Sequence, residues 1–236
     1  MIAAILAQPL AAMAQVKVIT SGGFASALQQ MLPQFEKASG IQVSVTRGAS
    51  QGDGPATIAA QLRTGVPADV VIMSREGLDD LIKEGKIVAG SDVNLAQTPL
   101  GMSVRAGAPK PKLTVDAFKE TLLHAQTVNI PSSTTGIYMK SQLFPRLGID
   151  QAVAGKVVDN GVADVALRPV SELMAMAGMD LVGPVPADIQ FMSVFSAAIV
   201  KGSKEAEAAQ RLLAYLASAQ AQAVLSKSGM EPPKAP

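Results

Sequence analysis

The chain has 236 residues, carries 20 basic and 19 acidic side chains, and contains no cysteine and a single histidine. Without cysteine there is neither a disulfide framework nor a thiolate, and one histidine argues against a zinc site or a Ser-His-Asp triad, so we expect no metal and no cofactor. The near-neutral charge and the scarcity of aromatic residues argue against nucleic acid as a partner.

Residues 1–15 are predicted to form a signal peptide. The run MIAAILAQPLAAMAQ is apolar, and Ala12-Met13-Ala14 matches a small-residue cleavage site before Gln15. The run has no basic residue at its start, so we expect the signal peptide to be partial, and it is too short to span a bilayer. We predict export to the periplasm without stable membrane insertion. The alternative is that this run forms a first core helix.

Residues 16–87 predict three strands that alternate with three helices. The strand 68–74 is continuously apolar, as is typical of a parallel sheet that is buried on both faces. Helix 25–39 has one apolar face and ends at Gly40, a residue type favoured at helix C-termini. The alternation of strands and helices implies a parallel, right-handed, doubly wound α/β sheet.

The pattern changes after residue 98. A strand at 101–107 is of the kind that crosses between lobes, and a strand at 191–202 returns to the first lobe. Between them we predict further strands at 127–131, 163–169 and 180–186, with helices among them. Lobe 1 is therefore expected to comprise residues 16–98 plus 196–236, and lobe 2 residues 99–195.

Three loops rich in Ser, Thr and Gly each follow a predicted strand and precede a predicted helix. They are Ser21-Gly22-Gly23, the segment 47–56 and the segment 132–136. In an open parallel sheet, ligands bind beyond the carboxyl ends of the strands, where helix N-termini offer unpaired N–H groups to an anion. The alternative is that these loops only form turns and helix caps. Their occurrence on one sheet system favours an anion site.

Arginine residues near the same strand ends are candidates for binding a carboxylate. Arg168 ends an apolar strand and precedes Pro169, and a guanidinium there can bind a carboxylate bidentately. A surface arginine that caps its strand is the alternative, and the same alternatives hold for Arg47. The candidate ligand-binding residues are Ser21, Gly22, Gly23, Arg47, Ser74, Arg75, Ser133, Thr134, Thr135, Gly136, Tyr138 and Arg168.

Several segments together resemble the periplasmic molybdate-type substrate-binding proteins of ABC importers. These segments are SGGFASAL, AAQLRTGVPADVVIMS, TTGIYMKSQLFPRLGI, VVDNGVADVALRPVSEL and FSAAIVKGSKEAEAAQRLLAYLASAQAQAVLSKSG. The resemblance covers residues 16–229 and implies a two-lobed type II binding-protein fold, with mostly parallel mixed sheets, helices on both faces and a hinge cleft. It also implies closure on a small anion, an importer permease as partner, and a monomer.

The resemblance assigns ligand residues loop by loop. Gly23 falls where such molybdate binders supply a serine hydroxyl, with Ser21 nearby, and residues 54–56 replace consecutive serines of the second loop. The third loop matches, so Thr135 and Gly136 are expected to donate backbone amides. Arg168-Pro169 stands where a tyrosine is expected, and residues 149–164 form a shorter segment than the family has. These differences favour an organic acid or another oxyanion over molybdate.

The chain also resembles a rarer group of proteins with the same fold that are enzymes, the aconitate isomerases. Their reaction requires a base that moves an allylic proton between two carbon atoms, and cationic groups that hold three carboxylates. The cations would be Arg47, Arg75 and Arg168. Three residues remain open as the base: Tyr138, Glu172 and Ser21. We predict a solute-binding protein without a catalytic residue, and keep the isomerase as the alternative.

Overall fold

The structure is a computed structural model and describes residues 14–234. The predicted signal peptide lies almost entirely in residues 1–13, outside the described residues. Gln15, which the prediction placed at the end of that segment, begins the first strand and pairs with Gln42. None of the helices within residues 14–234 combines the length and apolar composition that a bilayer span requires.

The eight predicted strands occur in the predicted order along the chain, and the structure adds a short strand, Val157–Val158, that was not predicted. The strands are β1 (Gln15–Thr20), β2 (Gln42–Arg47), β3 (Val70–Ser74), β4 (Val93–Arg105), β5 (Val128–Asn129), β6 (Val157–Val158), β7 (Val165–Pro169), β8 (Met179–Pro184) and β9 (Met192–Ile199). All five residues of β3 are buried, as its continuous apolar sequence predicts.

The helices lie between these strands and at the end of the chain. They are α1 (Gly22–Ser39), α2 (Ile58–Arg63), α3 (Arg75–Lys83), α4 (Val115–His124), α5 (Thr134–Tyr138), α6 (Phe144–Leu147), α7 (Asp150–Ala154), α8 (Val170–Leu173), α9 (Ala206–Leu216) and α10 (Ala219–Lys227). A π-helical turn, Met139–Leu143, joins α5 to α6. Helix α1 ends where Gly40 adopts the left-handed conformation at φ 72° and its N–H donates to the Glu36 carbonyl.

The described strands form one nine-stranded sheet. Its order is β2-β1-β3-β9-β4-β7-β5-β6, and β8 pairs with β4 on the edge opposite β7. Strand β1 is parallel to β2 and β3, and β5 is parallel to β6 and β7, whereas β4 and β9 run antiparallel to their neighbours. The parallel prediction for the first three strands is confirmed.

Strand β4 is longer than predicted and connects two parts of the sheet. Its residues 93–99 pair with β9, and its residues 100–105 pair with β7 and β8. The sequence pattern indicated only the second of these halves. The polar residues Gln97 and Thr98 obscured the first, although both are buried in the structure.

The buried apolar residues form two core regions. The first core region packs α1, α9 and α10 on one face of β1, β3 and β9, and α2 and α3 on the other face. The second core region packs α4, the segment α5–α7 and α8 around β5, β7 and the second half of β4. The residue boundaries given above for the two lobes stay a prediction.

Two helices begin earlier than predicted. Helix α1 starts at Gly22 because Ser21 is extended (φ −74°, ψ 158°) and acts as its N-cap residue. Helix α5 starts at Thr134, inside the segment 132–136 that the sequence suggested was a loop. Ligand candidates on both segments therefore lie in first helical turns.

Candidate functional site

A cavity of about 270 Å³ lies beyond the carboxyl ends of β1, β3, β5 and β7, between the two core regions. This is the position that an open parallel sheet favours for a ligand. Eight of the predicted ligand residues line the cavity: Ser21, Gly22, Gly23, Ser74, Ser133, Thr134, Thr135 and Arg168. Their role in binding stays a prediction, but the structure brings them together.

Ser21 belongs to the lining of this cavity, and its hydroxyl is buried. The residue is 5% exposed, and its Oγ has no hydrogen-bond partner among residues 14–234. Its backbone is fixed, because the Ser21 N–H donates to the Ile72 carbonyl at 2.8 Å. As the N-cap residue of α1 it could have capped the helix, yet its side chain makes no capping bond within the described chain. A buried hydroxyl without a partner is unfavourable, and a ligand atom in the cavity would relieve it.

Gly22 and Gly23 allow the cavity wall to approach the start of α1. A Cβ atom at Gly22 would lie 2.7 Å from Glu172 Oε1, and one at Gly23 would overlap the ring of Phe195. Close packing against the Phe195 ring therefore favours glycine at position 23, and a side chain at position 22 would displace the Glu172 carboxylate.

Hydroxyl groups connect the two core regions across the cavity. Ser74 Oγ and Thr134 Oγ1 are 2.8 Å apart and buried, and Thr134 Oγ1 donates to Gln51 Oε1 at 2.9 Å. Ser50 Oγ accepts from the Ser74 N–H at 2.9 Å. On the far side, Ser171 Oγ donates to the Gly23 carbonyl at 2.9 Å. The cavity is thus closed by direct hydrogen bonds between its two walls.

The list of predicted ligand residues missed three serines of the lining, Ser50, Ser132 and Ser193. Ser50 lies in the second Ser/Gly-rich segment but before the residues 54–56 that the resemblance pointed to. Ser193 lies on β9, is 2% exposed, and has its Oγ 3.3 Å from Thr135 Oγ1. Ser193 and Ser196 both interrupt the apolar strand FMSVFSAAIV, and nothing in the local sequence singles out Ser193.

Arg168 reaches the cavity from the end of β7, but its donors are already engaged. Its Nε donates to Asn129 Oδ1 at 2.6 Å, its Nη1 lies 3.1 Å from Glu172 Oε1, and its Nη2 donates to the Asp159 carbonyl. The Asp159 carboxylate is 3.6 Å from Nη2. Each guanidinium nitrogen of Arg168 thus already contacts an acceptor in residue 129, 159 or 172, and its binding of a ligand carboxylate stays a prediction.

The charges at the cavity do not form a basic pocket. Among the described lining residues three are charged, namely Arg168, Asp159 and Glu172. Two carboxylates thus face one guanidinium, so the formal sum is negative when all three are ionised. The neutral hydroxyls and amides remain as the groups that can accommodate an anion without a competing carboxylate.

Two predicted arginines lie away from the cavity lining. Arg47 is exposed and lines a separate outer cavity of about 410 Å³, which shares Arg168 and Glu172 with the first. The guanidinium of Arg75 instead binds Asp79 and Asp92, with N–O distances of 2.5 and 2.9 Å. Burial lowers the pKa of Arg75, but the hydrogen bonds and charges of these two carboxylates outweigh it and raise the pKa overall.

Gly136 and Tyr138 have packing roles in the structure. A Cβ atom at Gly136 would overlap the carbonyl oxygen of Pro131, so the first turn of α5 requires glycine there. The Tyr138 ring stacks on Phe191 with centroids 4.4 Å apart. For Tyr138 the packing alternative therefore fits the observed contact better than ligand contact.

Comparison with known proteins places the chain in a family. A model of the family described as bacterial extracellular solute-binding protein matches residues 16–231. An aconitate isomerase of Pseudomonas sp is 38% identical over 227 residues, which cover 91% of this chain and 87% of the relative. The molybdate-binding protein ModA of Escherichia coli (strain K12) is 25% identical over 246 residues, covering 96% and 92%.

The fold agrees with that of a solved relative. The periplasmic molybdate-binding protein of Azotobacter vinelandii superposes with a TM-score of 0.74 at 21% identity, covering 93% of this chain and 100% of that one. The predicted mixed α/β binding-protein fold is confirmed.

Proposed function

Because the chain belongs to the family of bacterial extracellular solute-binding proteins, we propose that it captures a small organic acid in the cavity between its two core regions. The observation that carries this proposal is Ser21, a residue of the cavity lining whose buried hydroxyl has no hydrogen-bond partner among the described residues. A carboxylate oxygen is a strong acceptor for such a hydroxyl and for the N–H groups at the start of α1.

Capture would work by closure of the two core regions on the ligand. Ser21 and Ser74 come from the first region, and Ser133 and Thr135 from the second, so one bound acid can contact both walls. Such a ligand binds the closed arrangement better than an open one, which is the differential affinity that closure requires. In the same proposal the loaded protein delivers its ligand in the periplasm to the permease of an ABC importer.

The shape and charge of the cavity favour an organic acid over a compact oxyanion. Its volume of about 270 Å³ suits a small molecule with several carbon atoms. Phe195 and Pro169 give part of the lining an apolar character that can contact a carbon chain.

Isothermal titration calorimetry tests this proposal. The purified protein is titrated with cis-aconitate, trans-aconitate, citrate, molybdate, tungstate, sulfate and phosphate at constant ionic strength. We expect saturable binding of at least one organic acid and at least about tenfold weaker binding of every inorganic anion. Tight, preferential binding of molybdate would contradict the choice of an organic acid.

An aconitate isomerase activity is the second candidate. It is favoured by the 38% identity to an aconitate isomerase and by the carboxylate of Glu172 at the cavity. In such a reaction a base removes a proton from the saturated CH₂ carbon, the double bond shifts, and a proton returns to the former alkene carbon. Glu172 would be the candidate proton acceptor.

Proton NMR separates the two candidates. The protein is incubated with pure cis- or trans-aconitate in D₂O, and the isomers and their deuterium content are followed with time. For a binding protein we expect no interconversion above the rate without protein. Interconversion that is lost in Glu172→Gln, with ligand binding retained, would establish the isomerase.

A further inference from the structure

Glu172 lies in the cavity lining between Arg168 and the start of α1. Its Oε1 lies 3.1 Å from Arg168 Nη1, and a Cβ atom added at Gly22 would lie 2.7 Å from the same oxygen. The carboxylate thus stands between the guanidinium and the start of α1. Both are groups that attract anions.

The carboxylate is held there and is only partly accessible to solvent. The side chain of Glu172 is 26% exposed and that of Arg168 is 11% exposed. Glu172 also borders both the inner cavity and the outer cavity that contains Arg47. Any anion that enters the inner cavity therefore lies close to a fixed negative charge, in a place where water screens that charge less than at the surface.

We propose that Glu172 is a specificity-determining residue. It excludes compact anions such as sulfate and molybdate, whose negative charge is spread over the whole surface, and it admits organic acids, which have an uncharged part. An organic acid can place a carboxylate at the hydroxyls of Ser21 and Ser74 and its uncharged carbon or hydroxyl part against Glu172. Sulfate and molybdate have no uncharged face to present. This inference rests on the proposed function and assigns the source of its selectivity.

The substitution Glu172→Gln tests the inference, because it removes the charge and keeps the shape. The glutamine oxygen can still accept from Arg168 Nη1, so Arg168 keeps its position. In calorimetry with sulfate and molybdate we expect binding at least about tenfold tighter than in the unchanged protein. Binding of the organic acid is expected to change by less than about threefold, so the selectivity ratio falls.

Two further variants control for general effects of charge and for folding. Glu76→Gln removes an equivalent charge from an exposed position on α3, outside the cavity, and should leave all affinities unchanged. Glu172→Ala removes the charge together with the contact to Arg168, and should shift the selectivity in the same direction. Thermal melts verify that each variant folds.

The outcomes distinguish this inference from the proposed function. Suppose that the unchanged protein binds an organic acid, while the ratio of its affinity for that acid to its affinity for sulfate or molybdate changes by less than about threefold in both Glu172 variants. In that case the inference is wrong and the proposed function stands. If the unchanged protein binds no organic acid but the variants acquire sulfate or molybdate binding, the exclusion of compact anions by Glu172 stands, whereas the admission of organic acids and the proposed function are both wrong. If no protein binds any anion, both are wrong.

Discussion

The two walls of the cavity differ in whether their polar groups have hydrogen-bond partners. On the wall from the first core region, the Ser21 hydroxyl is buried and has no partner among residues 14–234. On the wall from the second core region, Nε, Nη1 and Nη2 of Arg168 all contact acceptors, namely Asn129, Glu172 and Asp159. The first wall thus has a hydroxyl without a hydrogen-bond partner, whereas each guanidinium nitrogen on the second wall contacts an acceptor without any ligand.

This difference indicates which wall gains most from a ligand. A group without a partner contributes its full hydrogen bond when a ligand arrives, whereas a group already bound only exchanges one partner for another. In the proposed function, neutral donors near Ser21 would therefore supply affinity, and the charged cluster around Arg168 would supply structure and selectivity. A charged residue at a strand end is thus weaker support for a ligand contact than a buried hydroxyl without a partner.

Removing the arginine gives the largest expected effect. In Arg168→Ala the acceptor of Asn129, which is fully buried, and the carboxylate of Glu172 lose their partner, so we expect a loss of about 2 kcal/mol in the free energy of unfolding. Urea unfolding measures it. Arg63→Ala, which breaks an exposed ion pair with Glu84, should lose less than about 1 kcal/mol. Equal losses would show that the second wall is not held by its charged cluster.

Removing the free hydroxyl should act on affinity instead. In Ser21→Ala we expect binding of the organic acid to weaken about tenfold, or about 1.4 kcal/mol, while stability stays equal or rises slightly because an unsatisfied group is gone. Calorimetry and urea unfolding give the two values. Ser103→Ala is the matched control, since its Oγ is also buried without a partner in the described chain but lies outside the cavity lining. A loss of affinity in both variants would refute the assignment.

A third test concerns charged hydrogen bonds that stabilise the second core region at a place outside the cavity. The hydrogen bond from Arg105 lowers the pKa of Asp164 below its usual 3.8, and the N–H groups of Thr127 and Gln126 lower it further. We expect Asp164→Asn to reduce the free energy of unfolding by about 1 kcal/mol at neutral pH.

The pH dependence of this loss carries a definite sign. Because the pKa of Asp164 is lower in the folded than in the unfolded state, its contribution is complete above the unfolded pKa and disappears as pH falls through the folded pKa. The difference between the unchanged protein and Asp164→Asn should therefore shrink below pH 3.8. Urea unfolding at several pH values measures it, with Asp53→Asn in an exposed loop as control. A difference that does not depend on pH would contradict the mechanism.

The smallest expected effect concerns the link between the walls. Thr134→Val removes the hydroxyl that contacts Ser74 and Gln51, while Ser74 Oγ still accepts from the Gly77 N–H. We expect about 0.5 kcal/mol less stability for the closed arrangement and a small increase in the radius of gyration without ligand, measured by small-angle X-ray scattering. Thr121→Val, which removes a hydroxyl within α4, should leave the radius unchanged.

Much of the fold was predictable because it depends on patterns local to the sequence. The apolar run 68–74 gave a buried parallel strand, and the periodic apolar face of α1 ended at Gly40 as expected. The first half of β4 was missed since Gln97 and Thr98 are buried polar residues. Their partners, Glu231 and Gly229, come from the far end of the chain.

The site was predictable as a set of loops and less so as a set of side chains. Ser21, Ser74 and Thr135 follow the carboxyl ends of strands and lie at one cavity, as expected because ligands bind beyond those ends in an open parallel sheet. Arg75 was placed there by the same rule, but Asp79 one turn later on its own helix and Asp92 bind its guanidinium. Ser193 was missed because a hydroxyl on a crossing strand has no local signal.

By itself the sequence determined the order of most elements, the parallel arrangement of the first three strands and the family. These follow from periodicity and from motifs of neighbouring residues. Only the tertiary structure decided which polar groups remain without a partner. Asn129, Asp159 and Glu172 meet Arg168 from separate segments, and nothing meets Ser21 Oγ among the residues described. Pairing between distant segments depends on how the chain packs, so it is read from three-dimensional contacts rather than from residue type.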